Sequence, residues 1–513
     1  MLLLALVVTW VSFGHIPLFD EDEGEYAEVA VEMARSGDFV TPTLNGQAFF
    51  EKPILAFWLE APLVQALGVH AWVFRLPSLL ACLLWVLLLV RFGRREWGET
   101  AGWAAGFFCA TALGVIVSAD AAAMDGVLCL FVTAAGFDIY KAWKTSDRRA
   151  EWRVFLWMAL GFLAKGPVAV VVPLLVSFLF YLSQRELARW LKSAFNPWGW
   201  ATFLMVALPW YVIQYQRMGP AFLDYFLLRE NLGRLTGALQ GHGGSLLYYV
   251  PVALLIVLPH TTLLLRAGLE SWRTRGEPLT RFLGLWFIVV FLLFSLANTK
   301  LPHYLLIGLT PAFLLMARHR ELLRSRWRIL LPWGAMVTLA LALPGTVAWA
   351  AQRDHHPYLH EMLARGPTVF TQDYYWVRIA LLLGVFFAGL TALWAIARKS
   401  PWYLLLLTGV ASNILVWGIL LPVAAGLQQA PVLEAARLAK DLGQPVVADN
   451  RMPSFAVYSG QPTTNRPPRT GDLVFLRVDR EAQLPAHEVL FAQGGVRLVR
   501  ITAAAGLPPP SGN

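Results

Sequence analysis

Long apolar runs separated by short polar segments dominate the chain up to residue 426. A helix of about 20 apolar residues rises 1.5 Å per residue and spans roughly 30 Å of hydrocarbon. The pattern therefore predicts an all-α, polytopic membrane region over residues 1–426. Its thirteen predicted spans cover 1–19, 70–90, 101–117, 124–140, 154–164, 167–182, 199–214, 247–265, 282–297, 303–317, 329–350, 379–397 and 402–425.

Residues 427–513 have a different pattern and are predicted to form a small α/β domain. The stretch "VLEAARLAKDLG" has apolar residues at helical spacing, whereas "PVVADN" and "DLVFLRVD" are typical of short strands between turn residues. The final "GLPPPSGN" is predicted to be disordered, because its few apolar side chains do not offset the entropy of ordering.

The segment between the first two predicted spans, residues 20–69, contains a second kind of pattern. Tyr26, Val29, Ala30 and Met33 follow a 3.6-residue period, which predicts an amphipathic helix over 23–35 that lies in the membrane interface. Acidic residues in its first turn suit the helix dipole, and "RSGDF" supplies a stop signal.

Composition agrees with a membrane protein. Hydrophobic residues make up 57% of the 513 residues and charged residues 15%, with a mean hydropathy of +0.54. These values lie outside the range of soluble globular chains. All three cysteines lie in apolar runs, so neither a disulfide framework nor a metal cluster is predicted.

The net charge of +9 reflects topology rather than a nucleic-acid partner. With a cytoplasmic N-terminus, the cytoplasmic loops hold most of the Lys and Arg residues, as the positive-inside rule requires. The larger loops at 20–69, 215–246 and 351–378 then lie outside, together with the C-terminal domain. In a bacterium this side is the periplasm. The first 19 residues lack a basic n-region and a cleavage site, so a retained span is predicted.

Acidic residues crowd the start of the first external loop, with seven of them between Asp20 and Glu32. They form either a solvated, helix-capping face, or a site in which one carboxylate accepts a proton, or a divalent-cation site. Asp22, Glu25 and Tyr26 share one helical face.

Basic residues on the same predicted side lie at or near the ends of spans. They are Lys52, Lys165, Arg229, Arg234 and Lys300. A lone lysine at such a position commonly extends to the interface. Lys165 is flanked by apolar sequence, where an ammonium is costly unless it meets an anion. Several cations facing a carboxylate cluster favour a phosphate or pyrophosphate ligand.

Histidines and aromatic residues are less specific. His355, His356 and His360 lie in the third loop without established metal-ligand spacing, so a zinc site is a minor alternative. Tyr248 and Tyr249 suit an interfacial aromatic belt, with sugar stacking as the alternative.

Several motifs in family order resemble those of bacterial aminoarabinose transferases and their protein O-mannosyltransferase-like relatives, which use polyprenyl-phosphate sugars and have the GT-C fold. The first is "DEDEGEYAEVAVEMARSGDFVTPTLNGQAFFEKPILAFWL". The later ones are "AAMDGVL", "GFLAKGP", "RENLGR", "GHGGSLLYYVPV" and "FSLANTKLPHYLL". This resemblance covers nearly the whole membrane region.

The resemblance implies a role for individual residues. It makes Asp22 and Asp125 the candidate catalytic carboxylates and Glu51 a candidate ligand for a divalent metal ion. The implied binders of the donor phosphate are Lys52, Lys165, Arg234, Lys300 and Tyr304. The implied substrate-binding residues are Glu23, Tyr26, Glu230, His242 and Tyr248.

Three departures from the family motifs concern the acceptor. Glu25 replaces an arginine, Asn231 follows Glu230 where the relatives have Glu-His, and His260 follows Pro259 where they have Pro-Trp. The charge reversal at Glu25 disfavours a phosphate acceptor and favours a hydroxyl.

The leading interpretation is an inner-membrane glycosyltransferase that uses an undecaprenyl-phosphate sugar and inverts the anomeric carbon. Such a transfer needs no nucleotide at the site. The acceptor is lipid A, another glycan or a protein, and the expected state is a monomer. The alternative is a secondary transporter or a flippase for lipid-linked sugars. A membrane scaffold with an external binding domain is a third interpretation, which leaves Lys165 and Lys300 unexplained.

Overall fold

The computed structural model describes residues 14, 16–119, 121–233, 243–323, 325–372, 375–396, 401–448, 452–461, 463–464 and 466–502. The predicted first span at 1–19 lies almost entirely outside these residues, as does the tail predicted to be disordered.

The first external loop folds into helix α1 (Asp22–Ser36), a short hairpin of β1 (Thr43–Leu44) and β2 (Gln47–Ala48), and helix α2 (Leu55–Leu67). Helix α1 confirms the helix predicted over 23–35 and ends at Gly37, whose N–H donates to the Met33 carbonyl. The hairpin was not predicted. Its turn residues Asn45 and Gly46 both have positive φ, which suits a two-residue hairpin.

The membrane region is a helical bundle. Its helices are α3 (Ala71–Trp97), α4 (Glu99–Thr111), α5 (Leu113–Ala119), α6 (Asp125–Thr145), α7 (Arg148–Lys165), α8 (Val168–Ser183), α9 (Leu187–Ala194), α10 (Pro197–Met218), α11 (Pro220–Leu223), α12 (Tyr249–Ile256), α13 (Thr261–Arg273), α14 (Pro278–Leu296), α15 (Leu309–Arg318), α16 (Arg326–Arg353), α17 (Pro357–Ala364), α18 (Gly366–Gln372), α19 (Tyr375–Ile396), α20 (Trp402–Leu415) and α21 (Leu421–Gln428).

Among the described residues, shorter helical segments connect some of these helices. They are the π-helical segments Asp224–Leu232 and Val416–Leu420 and the 3₁₀ segments Pro302–Gly308 and Arg320–Leu322. A further 3₁₀ segment, Val478–Gln483, lies in the C-terminal region.

Five of the described helices are long and apolar enough to cross a membrane, and the number rises to seven if each of two bent pairs forms one span. The bent pairs are α4 with α5, at 66°, and α12 with α13, at 115°. The prediction of one continuous span over 247–265 was therefore wrong. Pro259 lies at this break, and a proline lacks the N–H that would continue a helix.

The two breaks contact each other. The N–H of Leu113 donates to the carbonyl of Leu258 at 3.0 Å, and Thr111 Oγ1 lies 2.8 Å from His260 Nε2. At a helix break, backbone N–H and C=O groups lose their helical hydrogen bonds, and within a membrane they need new partners. Here the two breaks provide partners for each other.

Buried polar bridges also join the bundle. Trp85 on α3 donates its indole N–H to Thr310 Oγ1 on α15 at 2.7 Å, and Thr310 Oγ1 lies 2.6 Å from Thr133 Oγ1 on α6. All three side chains are buried. In a membrane the hydrophobic effect does not drive helices together, because lipid tails are as apolar as the side chains. Buried hydrogen bonds between helices therefore help to determine which helix faces pack against each other.

The C-terminal region confirms the predicted helix and both predicted strands, as α22 (Ala430–Leu442), β3 (Val446–Ala448) and β5 (Leu473–Arg477). A five-stranded sheet has the order β4-β3-β5-β7-β6. The additional elements are α23 (Ser454–Ser459), β4 (Thr463–Thr464), β6 (His487–Gln493) and β7 (Val496–Ile501). Strand β3 pairs in parallel with β4 and β5, while β5, β7 and β6 pair antiparallel. A domain boundary at residue 427 stays a prediction.

This C-terminal sheet is fastened to the membrane region. Arg497 on β7 donates to both carboxylate oxygens of Glu361 on α17, at 2.6 and 2.9 Å. On the other side, helix α23 packs against α1 through a cluster that includes Val457, Leu18, Ala27 and Val31. The sheet therefore lies on the same side of the bundle as the first external loop.

Candidate functional site

A cavity of about 760 Å³ lies between the first external loop and one end of the bundle. Its charged and polar lining residues are Asp20, Glu21, Asp22, Glu25, Tyr26, Glu51, Lys52, Asp125, Lys165, Glu230, Thr299, His303, Tyr304 and Gln428. Its apolar lining includes Leu128, Pro167, Val168, Val171, Phe226, Leu293, Phe294, Leu301 and Ile307. Residues far apart in sequence thus share one space.

Eight of the predicted site residues line this cavity. They are Asp22, Tyr26, Glu51, Lys52, Asp125, Lys165, Glu230 and Tyr304. Helix α1 carries the first two, while α6 begins at Asp125 and α7 ends at Lys165. Because α6 and α7 run antiparallel as neighbours, the start of one helix lies beside the end of the other.

The ion pair of Lys165 and Asp125 anchors one end of the cavity. The Lys165 ammonium lies 2.6 Å from Asp125 Oδ1, and the two side chains are only 17% and 13% exposed. A carboxylate at a helix start and an ammonium at a helix end both suit the helix dipoles. Lys165 also lies 5.6 Å from the centre of the Tyr304 ring, whose neighbour His303 lines the same end.

Lys52 is the second cation in the lining. Its ammonium lies 5.8 Å from the centre of the Tyr26 ring, an arrangement in which the ring face stabilises the positive charge. The adjacent Glu51 accepts a hydrogen bond from the Tyr225 hydroxyl at 3.4 Å. Two consecutive residues of the "EKP" motif therefore bring opposite charges to one wall.

The first loop lines the cavity with acidic residues. Burial, together with the nearby negative charges of Glu51 and Asp22, raises the pKa of Glu25 to about 8, although Lys52 opposes this increase. At neutral pH this carboxyl is mostly protonated. Asp22 itself is exposed, so its carboxylate stays in contact with solvent at the cavity.

Glu230 reaches the cavity from the π-helical segment Asp224–Leu232 and is 7% exposed. A π-helical segment shifts the side chains that follow it to a different face, and such segments often occur at functional sites. The apolar Phe226 on the same segment also lines the cavity.

Glu23 lies outside the cavity, although the sequence predicted that it binds substrate. Its carboxylate accepts two hydrogen bonds from Arg75, at 3.0 and 2.8 Å. It also accepts from the N–H groups of Ala122, at 2.6 Å, and Phe19, at 2.7 Å. Glu23 is therefore engaged in joining the first loop to α3.

Lys300 also lies outside the cavity lining. Its ammonium donates to the backbone carbonyls of Ser295 and Ala297, at 2.8 and 2.6 Å. These carbonyls belong to the end of α14, where a helix has no internal donors left. The structure therefore assigns this lysine to a helix terminus and separates it from the cations of the cavity.

The remaining predicted residues are distributed as follows. Tyr248 is half-buried, packs edge-on against Tyr249 and does not line the cavity. Arg234 and His242 lie outside the described residues. Arg229 is exposed and lies 4.8 Å from the centre of the Tyr225 ring. The described part of the chain contains no group of three or more His, Cys, Asp or Glu side chains placed to hold a metal ion.

Sequence reasoning missed some lining residues. Asp20 and Glu21 were noted only as members of the acidic run, although both line the cavity. Gln428 comes from the end of α21, more than 400 positions away in sequence, and no local pattern indicates its place. His303 precedes the predicted phosphate binder Tyr304 in sequence, but only the helix packing brings it to Lys165 and Asp125.

Comparison with known proteins places this cavity in a wider context. A family model described as dolichyl-phosphate-mannose-protein mannosyltransferase matches residues 51–213. The undecaprenyl phosphate-α-4-amino-4-deoxy-L-arabinose arabinosyl transferase 2 of Proteus mirabilis is 30% identical over 310 residues, which are 59% of this chain and 55% of the relative. The enzyme of the same name from Pseudomonas fluorescens is 31% identical over 61% of this chain and 57% of its own length. The matched sequence thus spans little more than half of these relatives.

The structural match extends further. The crystal structure of ArnT from Cupriavidus metallidurans bound to undecaprenyl phosphate has a TM-score of 0.80 at 19% sequence identity and covers 98% of both chains. This likeness shows a common fold over almost the entire chain. The resemblance to aminoarabinose transferases that the motifs predicted is therefore confirmed, and the chain has their helical GT-C membrane fold.

Proposed function

We propose that this chain is an integral membrane glycosyltransferase that moves a sugar from undecaprenyl phosphate to a lipid, glycan or protein acceptor. One observation carries the proposal. A single cavity combines the pair of Lys165 and Asp125, the cation Lys52, the carboxylates of the first loop and an apolar wall. A lipid-linked sugar phosphate has three parts, and the cavity offers cations for the phosphate, an apolar wall for the lipid chain and carboxylates near the sugar.

The phosphate of the donor binds between Lys52 and Lys165. Both ammonium groups line the cavity, and Lys165 is held in place by Asp125 at 2.6 Å. Hydrogen bonds from ammonium to phosphate are charge-assisted and strong in a space with little water. The same cations stabilise the negative charge that develops on the phosphate as it leaves.

The polyprenyl chain lies along the apolar wall. Val168 and Val171 of α8 and Leu293 and Phe294 of α14 all line the cavity. Val171 is 39% exposed, so this wall continues onto the lipid-facing surface. A tail that leaves the cavity between these helices enters the hydrocarbon directly, where its burial is favourable.

The reaction is a displacement at the anomeric carbon. The acceptor oxygen forms a bond to that carbon, its proton passes to the carboxylate of Asp22, and the bond to the phosphate oxygen breaks with its electron pair on the phosphate. Attack opposite to the leaving group inverts the anomeric configuration. Products are the glycosylated acceptor and undecaprenyl phosphate, and no nucleotide takes part.

The acidic residues of the first loop favour a hydroxyl acceptor over a phosphate acceptor. Asp22 and Glu51 line the cavity, and Glu25 adds a further negative charge when it ionises near pH 8. An incoming phosphate group would meet like charge here, which is costly. A hydroxyl carries no charge and can donate its proton to the exposed Asp22.

A divalent ion at Glu51 stays a prediction. Since the described residues offer no set of three ligating side chains at this position, oxygen atoms from a phosphate or from water would have to complete its coordination. No step of the reaction above depends on a metal ion.

The finer topology belongs to the same proposal. Thirteen spans in a bacterial inner membrane, with a cytoplasmic N-terminus, place the cavity and the C-terminal sheet in the periplasm. The distribution of Lys and Arg along the loops supports this orientation. A lipid-linked donor on that face explains why the reaction uses a phosphate leaving group rather than a nucleotide. A monomer contains every residue of the proposed site.

A transfer assay tests the proposal. Purified protein is incubated with radiolabelled undecaprenyl-phosphate sugars and a bacterial membrane extract, and label in the lipid, glycan and protein fractions is counted. Wild type transfers label to one fraction, whereas Asp22→Asn and Lys165→Ala lower transfer by about a hundredfold or more. Unchanged transfer in both variants would refute the site assignment.

A further inference from the structure

The C-terminal sheet and the proposed catalytic loop meet at a two-point contact between Ser454 and Asp20. The backbone N–H of Ser454 donates to Asp20 Oδ1 at 2.9 Å, and the Ser454 hydroxyl donates to Asp20 Oδ2 at 2.5 Å. Ser454 is fully buried. Both oxygens of one carboxylate are thereby engaged by a single residue that is 434 positions away in sequence.

The approach of the two segments is very close. A Cβ atom added to Gly24 would clash with Asp20 Oδ1 and would lie 2.6 Å from the backbone nitrogen of Ser454 and 3.1 Å from Pro453 Cγ. The first two contacts are shorter than real contacts allow, so only glycine permits the Asp20 carboxylate and α23 to approach α1 at this point. Glycine at position 24 thus allows the close packing that brings Ser454 to Asp20.

Asp20 also belongs to the wall of the proposed active site. It lines the cavity, and its backbone carbonyl accepts a hydrogen bond from Gln428 Nε2 at 3.4 Å. Helix α1 begins two residues later at Asp22, and the N–H of Glu25 donates to the Glu21 carbonyl at 3.0 Å. A displacement of Asp20 is therefore transmitted to the first turn of α1.

We propose that Ser454 is a positioning residue: it holds Asp20 and with it the first turn of α1, so that Asp22 keeps its place in the cavity. This inference rests on the glycosyl transfer proposed above. It assigns the C-terminal sheet a part in the reaction, although that sheet contributes no group that contacts the substrate.

The contact is separable from the docking of the C-terminal sheet as a whole. Val457 and the loop residues Leu18, Ala27 and Val31 form an apolar cluster, and Arg497 is paired with Glu361 on the opposite side. Both attachments persist when the Ser454 hydroxyl is removed. The effect of that change is therefore local to the first turn of α1.

The test uses the full-length protein in detergent and the undecaprenyl-phosphate sugar that the wild type consumes, with membrane extract as the acceptor source. Ser454→Ala lowers kcat by about tenfold to a hundredfold and leaves the KM for the donor within about twofold, because orientation rather than binding is lost. Ser454→Thr keeps the hydroxyl and restores kcat. Ser459→Ala is the matched control, since this buried serine of the same helix donates to its own helix at Ala456.

Gly24→Ala provides a second variant that removes no polar atom. Its added methyl group displaces both the Asp20 carboxylate and Ser454, so kcat falls as in Ser454→Ala even if the serine variant is poorly folded. Near wild-type kcat in both Ser454→Ala and Gly24→Ala, alongside an inactive Lys165→Ala, overturns the positioning role and leaves the proposed function standing. A wild-type protein that consumes no donor overturns both.

Discussion

The Lys165 ammonium lies 2.6 Å from the Asp125 carboxylate, where the end of α7 meets the start of α6. This pair is poorly exposed, and Lys165 also faces the Tyr304 ring. A cation fixed in this way is ready to receive a phosphate without reorganisation. It is therefore the group whose removal affects donor binding most.

Lys165→Ala weakens binding of undecaprenyl phosphate by about tenfold or more, because one charge-assisted hydrogen bond contributes roughly 1.5–3 kcal/mol. The variant also leaves Asp125 as an unpaired carboxylate that repels the ligand. Titration calorimetry of detergent-solubilised protein with undecaprenyl phosphate measures the effect. An unchanged dissociation constant would exclude Lys165 from the phosphate site.

Lys300→Met is the matched comparison, and here we expect a loss of stability without a loss of affinity. The Lys300 ammonium serves the carbonyls at the end of α14, and their loss costs about 1–3 kcal/mol. Thermal unfolding in detergent therefore occurs at a lower temperature, while undecaprenyl phosphate still binds. A large drop in affinity would restore the role that the sequence predicted for Lys300.

Glu23→Ala destabilises the protein by about 3–5 kcal/mol, since it removes the carboxylate that accepts two hydrogen bonds from the buried Arg75 guanidinium. The melting temperature falls, and any loss of transfer follows from that. If Glu23→Ala melted like wild type and failed only in donor binding, Glu23 would contact the substrate instead.

Glu28, on the same helix as Glu23, makes the stability of the folded protein depend on pH. Burial raises its pKa from 4.5 to about 7, so the folded state holds a proton that the unfolded state releases between these pH values. Stability contributed by this group is complete below pH 4.5 and is lost as the pH rises towards 7. Melting curves at pH 5 and pH 8 should show a smaller decline for Glu28→Gln than for wild type.

Glu25 makes donor binding dependent on pH. Its pKa of about 8 means that it ionises as the pH rises through 8, which adds a negative charge beside the proposed phosphate site. Wild-type affinity for undecaprenyl phosphate therefore decreases above pH 8, and Glu25→Gln reduces that decrease. Identical pH profiles for the two proteins would show that Glu25 does not sense the bound phosphate.

The sequence pattern was a good guide to single elements. Apolar periodicity predicted α1 to within one residue at each end, because Asp22 and Gly37 carry local start and stop signals. The same reasoning identified Lys165 as a cation needing an anion. It missed the β6–β7 hairpin, although Gly494 and Gly495 between its strands mark a turn.

Pairings between distant elements were beyond the sequence. Lys165 and Lys300 both follow apolar runs. Lys165 lines the cavity, whereas the Lys300 ammonium donates to the carbonyls at the end of α14. The apolar run before each lysine does not distinguish these two outcomes. Glu23 and Asp22 are adjacent, and helical geometry turns one towards Arg75 and the other towards the cavity. The break at Pro259 was not predicted, although a proline within an apolar run is a local signal for one. The sequence does not show that Leu113 on another helix donates to the Leu258 carbonyl at this break.

The proposed reaction cleaves the bond between sugar and phosphate, whereas a flippase moves the intact lipid. Mass spectrometry of proteoliposomes loaded with an undecaprenyl-phosphate sugar and an acceptor extract distinguishes the two directly. We expect equal amounts of free undecaprenyl phosphate and glycosylated acceptor with the wild type, and neither product with Asp22→Asn. A donor that changes leaflet but stays intact would contradict glycosyl transfer and would identify a flippase.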